Sequence, residues 1–274
     1  MVEARIHELG SIFSMAIYGY AVMSNHLHVV IAVEPDSATK WEKDEVIARW
    51  LKLFPARNRE QHEAKRAKLA DSSTAVETCR KRLVDLSWFM KCLDEHIARR
   101  ANAEDKVTGR FWEGRFKCQL LADERALAAA MAYVDLNPVR AGIAKNLADS
   151  NHTSVQVRAN NLRKDATKAN DTLKPIAGLT IFQRLPMSNA QYIELVDFTG
   201  RQIRKDKRGV IAADEPAALR RLGLDPDHWT SQVKGIGSAY WRMVGSADDL
   251  AAKAKAIGQK WLKGVGFARS FATR

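Results

Sequence analysis

Two histidines one residue apart, His26 and His28, are the sharpest chemical feature of the sequence. On a β-strand, residues i and i+2 face the same side. Both imidazoles would then project together while Leu27 enters the other face, and two adjacent imidazoles can hold one divalent metal. With seven histidines in the chain, such a pair also arises by accident. The spacing alone leaves both readings open.

Tyr133 and Asn137 are the second feature. Four residues apart on a helix, they share a face, about 100° around from the apolar stripe that includes Val134. A phenol is a poor nucleophile until it is held beside a metal-bound phosphate. Asn137 could supply a third, oxygen ligand. It could equally cap a short helix that opens with Pro138 and stops at Gly142. Tyr133, in turn, could be a half-buried packing residue.

The third feature is the run GRFWEGRFK, residues 109–117, in which Phe111, Trp112 and Phe116 alternate with Arg110, Arg115 and Lys117. Such a segment can stack bases and pair phosphates, or it can be a turn and strand with core aromatics. With Arg140, the residues Arg110, Trp112, Arg115 and Lys117 form the expected DNA-contacting set.

These residues need elements to position them. The first 33 residues read as a short helix and a β-hairpin, with Ile17 to Met23 and Leu27 to Val33 as strands around a Ser24-Asn25 turn. Val46, Ile47, Trp50, Leu51 and Phe54 lie on one helical face that Pro55 ends. Residues 57–82 read as exposed helix or an insertion. Leu83, Leu86, Met90, Leu93 and Ile97 step as one amphipathic helix. The latter half of FWEGRFKCQLL reads as a strand. Asp123 caps a helix with Leu127, Met131 and Val134 buried, and Asn137-Pro138 ends it. Residues 149–175, rich in Asn, Thr, Lys and Asp, read as a linker. A basic cluster follows at Arg201, Arg204, Lys205, Lys207 and Arg208. Strands and helices mixed in this way predict an α+β domain with helices packed on an antiparallel sheet.

Composition narrows the classes. The chain has 274 residues, 46% hydrophobic and 28% charged, enough to bury a core and too apolar for global disorder. No apolar run approaches the ~20 residues that span a bilayer, and MVEARIHELG does not read as a signal peptide. Three cysteines, an odd count without a CxxC, argue against a disulfide framework or a zinc ribbon. A cytoplasmic location is therefore expected. Residues 1–150 carry 23 basic and 21 acidic side chains, whereas residues 151–274 carry 21 and 11, a net of +10. A basic second part suits a polyanionic partner, or simple solubility. No metal or nucleophile motif appears in residues 151–274. That part is expected to add DNA affinity rather than chemistry, unless Trp261, Leu262 and Phe267 pack it as structure.

VMSNHLHVVI (22–31) followed by MAYVDLNPVRAGI (131–143) resembles the single-tyrosine HUH transposases, most of all the REP-associated tyrosine transposase branch. LSWFMKCLDEHIARRAN and TGRFWEGRFK between them resemble the same branch. The resemblance covers residues 1–148, as the catalytic domain, and leaves 149–274 as a basic, mainly helical region. It places the metal pair on His26 and His28, the nucleophile on Tyr133 and the third ligand on Asn137. It implies a ferredoxin-like α+β fold and a Mg²⁺ or Mn²⁺ ion. The implied partner is single-stranded or hairpin DNA, cut through a 5′-phosphotyrosine, by a monomer or homodimer with no membrane partner. The family's pattern has a further strand and a longer first helix ahead of the position of Met1. The sheet expected here lacks that first, central strand. Two other readings stay open: a non-catalytic DNA-binding protein of the same family, and a metal-dependent hydrolase that activates water.

Overall fold

A computed structural model describes residues 1–147, 149–180, 185–203, 216–222 and 225–271. The chain opens with α1 (Val2–Ile12), β1 (Met15–Val22) and β2 (Leu27–Val33). Five helices follow: α2 (Pro35–Thr39), α3 (Lys43–Leu53), α4 (Arg59–Ala70), α5 (Ser73–Leu83) and α6 (Leu86–Glu104). Then come β3 (Leu120–Leu121), α7 (Glu124–Asp135), α8 (Asn137–Arg140), α9 (Ser154–Lys164), a 3-10 turn at Ala166–Asn170 and β4 (Ala177–Gly178). The last elements are α10 (Asn189–Ile203), α11 (Ala217–Leu222), α12 (Pro226–Gly235), β5 (Met243–Val244), α13 (Ala247–Ala256) and α14 (Val265–Arg269).

The class is α+β, with 58% helix and one small antiparallel sheet in the order β2-β1-β4. A second sheet, β3 with β5, is parallel, which the reading of a single antiparallel sheet did not include. The described residues fall into two compact units that interleave along the chain. One holds residues 1–17, 31–116 and 175–180, and the other holds residues 18–30, 117–174 and the described residues from 185 onward. Residues on both sides of position 148 therefore belong to the second unit.

In the first unit α1, α3 and α6 each bury one face. Ile6, Leu9 and Ile12 of α1, Val46, Ile47 and Leu51 of α3, and Phe89, Leu93 and Ile97 of α6 are all buried. α3 stops at Leu53, two residues before Pro55, because the ring cannot continue the hydrogen-bond ladder. Leu83 and Leu86 do not share one helix: the Asp85 carboxylate accepts the backbone N–H groups of Ser87 and Trp88 and starts α6 anew. Residues 57–82 are mostly helical, α4 having no buried residue and α5 burying Val76, Cys79 and Leu83. The β1 edge at residues 15–17 is closed by β4, with Ile17 opposite Ala177 and Ala16 opposite Gly178. Gly178 sits at φ +83, and a Cβ there would lie 2.2 Å from the Met15 carbonyl oxygen, so only glycine lets the strands close.

In the second unit α7 is buried almost all round, Ala126 to Ala132 without interruption. Asp123 caps it as expected, its carboxylate accepting the Ala126 N–H at 2.7 Å. The 149–175 stretch is not a linker. Thr153 caps α9, and Val155 and Arg158 of that helix are buried. α9 and the segment before it complete the β1 edge over residues 18–22. The Arg158 guanidinium donates to the Tyr18 carbonyl at 3.0 Å, the Tyr20 N–H donates to Ser154 Oγ at 3.2 Å, and the Val22 N–H donates to the His152 carbonyl at 3.0 Å. These partners satisfy backbone groups that would otherwise be buried and unmet. The polar and charged residues that made this stretch look like a linker are in part the residues that fill that role.

Candidate active site

Residues 18–30, the turn end of the β1–β2 hairpin, and the α7–α8 junction, both in the second unit, bring together the four residues singled out by spacing. His28 lies within β2 and His26 one residue ahead of that strand, where the turn is closed by the Met23 N–H to the His26 carbonyl. The two rings are edge to face with centroids 5.0 Å apart. His28 also meets Tyr133 edge to face at 5.7 Å. The His26 Nε2 atom and the Asn137 side-chain amide are 3.2 Å apart, though 111 positions separate them in sequence.

Asn137 does not cap α8. It is the first residue of that helix, Leu136 stands at the cap position, and no side chain caps the turn. Its side-chain amide reaches the hairpin instead, at His26. On the other side of His26, Nδ1 lies 2.7 Å from Asn25 Oδ1. A carbonyl oxygen accepts, so Nδ1 carries the proton and the Nε2 lone pair faces Asn137. Asn25 read only as a turn residue in the sequence. Its position next to the histidine is the signal for this orienting role.

His28 is half-buried, and its pKa is lowered from 6.5 to about 4, by burial first and by the charges of His26 and Arg140 second. The ring is therefore a neutral base across the physiological range. The Arg140 guanidinium lies 4.2 Å from the Tyr133 ring centroid, placing a cation beside the phenol.

Tyrosine burial discriminates among the candidates for nucleophile. The chain has five tyrosines, and Tyr18, Tyr20, Tyr192 and Tyr240 are all buried, whereas Tyr133 is partly open. Tyr192 donates its hydroxyl proton to Asp135, and burial, then the Asp135 charge, pushes its pKa well up. The Tyr240 phenol is pushed up to about 12 by burial and by Asp123. Only Tyr133 combines access with adjacent histidines.

Two contributors were not among the candidate residues of the sequence. Gly237, in the turn after α12, faces the phenol: a Cβ there would stand 2.5 Å from Tyr133 Oη. The basic part of the chain thus places a residue beside the candidate nucleophile. No sequence signal marks Gly237, because the contact is long-range. Asp135, completely buried between Tyr133 and Asn137, accepts from Ser154 Oγ at 2.6 Å, the Val155 N–H at 2.9 Å and Tyr192. It fixes the end of α7, from which Tyr133 projects. An aspartate in an apolar helix was the signal for it.

The expected DNA-contacting residues are divided. Arg140 is in the site. In the first unit, Arg110 donates to the Trp112 and Glu113 carbonyls, and the Trp112 indole N–H donates to the Asp94 carbonyl at 2.9 Å. Those bonds build a loop and leave Phe111, Arg115 and Phe116 exposed. Lys117, in the second unit, is exposed too. The expected strand shrinks to Leu120–Leu121. Of the basic cluster, Arg201 is exposed in the last turn of α10, whereas Arg204, Lys205, Lys207 and Arg208 lie outside the described residues.

Among the described residues no three His, Cys, Asp or Glu side chains gather as a metal site. The available donors are His26, His28 and the Asn137 amide. Two ligand atoms at right angles on one ion, each at ~2.1 Å, stand about 3 Å apart. The 3.2 Å between His26 Nε2 and the Asn137 amide fits that spacing once the amide presents its oxygen. The set is uncharged and rich in nitrogen, which suits Mn²⁺ better than Mg²⁺. Compared with protein-family models, curated proteins and solved structures, the chain matches none. Among the described residues no helix is long and apolar enough to cross a membrane.

Proposed function

We propose that this chain is a transposase-type enzyme that cleaves and transfers single-stranded or hairpin DNA. The reading carries with it the single-tyrosine HUH family, the REP-associated branch and a ferredoxin-like plan for the sheet. The observation that supports it best is the juxtaposition of the one partly open tyrosine with His28, beside the His26–Asn137 pair.

In this reading the Tyr133 oxygen attacks a backbone phosphorus in line with the 3′ oxygen. The O–P bond to tyrosine forms and the P–O3′ bond breaks. The phenol gives up its proton, and the departing 3′ oxygen gains one. The product is a 5′-phosphotyrosine and a free 3′-OH. The linkage conserves the phosphodiester's energy, so a later 3′-OH reseals the strand by the reverse displacement. His26, His28 and Asn137 would hold a divalent ion, whose chemistry when bound is to polarise the phosphoryl oxygen. Neutral His28 keeps its lone pair for that role. Asn25 orients His26, and Asp135 holds the helix that carries Tyr133. Arg140 pairs with the phosphate backbone, and Arg110, Trp112, Arg115 and Lys117 complete the DNA-contacting set.

A non-catalytic DNA-binding protein is the competing reading. The close approach of Gly237 to the phenol favours it, because an attacking oxygen must reach phosphorus. Formation of a covalent protein–DNA adduct with hairpin DNA and Mn²⁺ separates the two. Adduct that depends on Tyr133 supports the enzyme, and binding without adduct supports the module.

A further inference from the structure

Two tryptophans of the second unit stand apart from the site. Trp241 and Trp261 are the most exposed large apolar side chains among the described residues, at 66% and 68%. Both line a groove of about 400 Å³, shared with Arg242, Lys260 and Lys263 and floored by buried Leu262. No acidic side chain lines it.

The backbone around both rings is fixed. Trp241 and Arg242 directly precede β5, and the Arg242 carbonyl accepts the Leu120 N–H at 2.9 Å next to the β3–β5 pairing. On the other side, the Gln259 N–H closes the end of α13 on the Ala254 carbonyl at 2.8 Å, and burial of Leu262 sets the position of Trp261. The backbone that carries both indoles is therefore anchored, and the rings themselves are bare. They do not serve the core: Leu262, Phe267 and Ala268 pack this end of the chain, with Phe267 edge to face on Tyr240 at 5.4 Å.

Indole faces stack on nucleobases whatever the sequence, and cations at the groove's walls meet the phosphates between them. We propose that this groove binds single-stranded DNA, with bases against Trp241 and Trp261 and phosphates on Arg242, Lys260 and Lys263. Three cations without an acid favour a polyanion over a protein segment. A concave groove favours unstacked bases over a lipid surface, which needs a convex apolar face. The inference deepens the strand-transfer reading by giving the DNA a second hold in the unit that carries Tyr133. It does not depend on the chemistry at Tyr133.

The test uses the full-length Tyr133→Phe protein in EDTA, so that no adduct forms, and a fluorescein-labelled dT15 read by anisotropy. Trp241→Ala and Trp261→Ala should each weaken binding about tenfold, the scale of one base stack. Their melting curves should match the parent, since both rings are mostly exposed. Lys260→Gln and Lys263→Gln should each reduce the slope of log K against log salt by about 0.7. An unchanged affinity in the double tryptophan variant overturns the proposal. So does equal competition by a duplex of the same length, which offers no free base faces. Tryptophan-dependent sedimentation with phosphatidylcholine–phosphatidylserine vesicles, without tryptophan-dependent dT15 binding, overturns it in favour of a membrane surface. A wild-type protein that forms no adduct yet binds dT15 through these tryptophans rejects the strand-transfer reading and leaves the groove standing.

Discussion

His28 carries the clearest electrostatic signature of the site. Its folded pKa, about 4, lies below the 6.5 of an unfolded chain, because burial disfavours the charged ring. Between those values the unfolded chain binds more protons, so stability rises with pH. Its share is complete above pH 6.5 and is lost as pH falls toward 4. Melting temperatures measured from pH 7.5 to 4.5 should therefore fall, and His28→Gln should flatten part of that fall. If the two proteins show parallel curves, burial of His28 does not control the pH response. The same neutrality bears on metal. Asn25 holds His26 with the Nε2 lone pair turned toward Asn137, and losing such an orienting partner typically weakens a metal site about 10- to 100-fold. Calorimetry with Mn²⁺ should show Asn25→Ala binding at least tenfold more weakly, whereas equal affinity would remove Asn25 from the account. Of the site itself, the sequence showed His26, His28, Tyr133 and Asn137 as residue types at telling spacings. It did not show Asn137 turning from cap to hairpin partner, since that choice depends on a histidine 111 positions away.

Elements were legible where a local signal fixed them. Asp123 starts α7, Pro55 follows the end of α3, and the Ser24-Asn25 turn joins two β-type runs, because caps, rings and turns act within a few residues. α9 was hidden, because its buried partners are main-chain groups of β1 rather than an apolar stripe. Arg158 and Ser154 do there what a strand's backbone would do. Asp135 ties α9 to α7, accepting from Ser154, Val155 and Tyr192. Removing its carboxylate strands three donors, at a cost on the order of 3 kcal/mol. Asp135→Ala should accordingly lower the melting temperature by several degrees, and a change below one degree would contradict the assigned role. Gly237 offers the complementary case. It is exposed, so alanine there should leave the melting temperature nearly unchanged while pushing the Tyr133 phenol aside. A displacement near 1 Å costs roughly 100-fold in a positioned reaction. Adduct formation by Gly237→Ala should slow at least tenfold, and an unchanged rate would show that the phenol moves freely past this turn.

At the scale of the molecule, charge asymmetry and mixed elements pointed to an α+β chain that meets a polyanion, and the class stands. Interleaving of the two units was not legible, because composition carries no record of which distant segments pack together. The tail shows the same limit. Residues 250–274 hold six basic side chains and no acidic one, yet Leu250, Ala254, Leu262 and Ala268 in that stretch are buried. Deleting it removes packing as well as charge, so melting should drop by more than about 5 °C. A truncated protein that melts like the parent would contradict that packing. Salt dependence is for that reason better read from single lysine substitutions than from truncation.

Incubation of the full-length protein with labelled hairpin DNA and Mn²⁺, followed by denaturing electrophoresis, tests the central claim most directly. The account predicts a detergent-resistant adduct in which peptide mapping finds the nucleotide on Tyr133. It also predicts that Tyr133→Phe abolishes the adduct while leaving DNA affinity within about twofold of the parent, because only the attacking oxygen is lost. A DNA-bound protein that never forms an adduct, or an adduct that survives Tyr133→Phe, would contradict it.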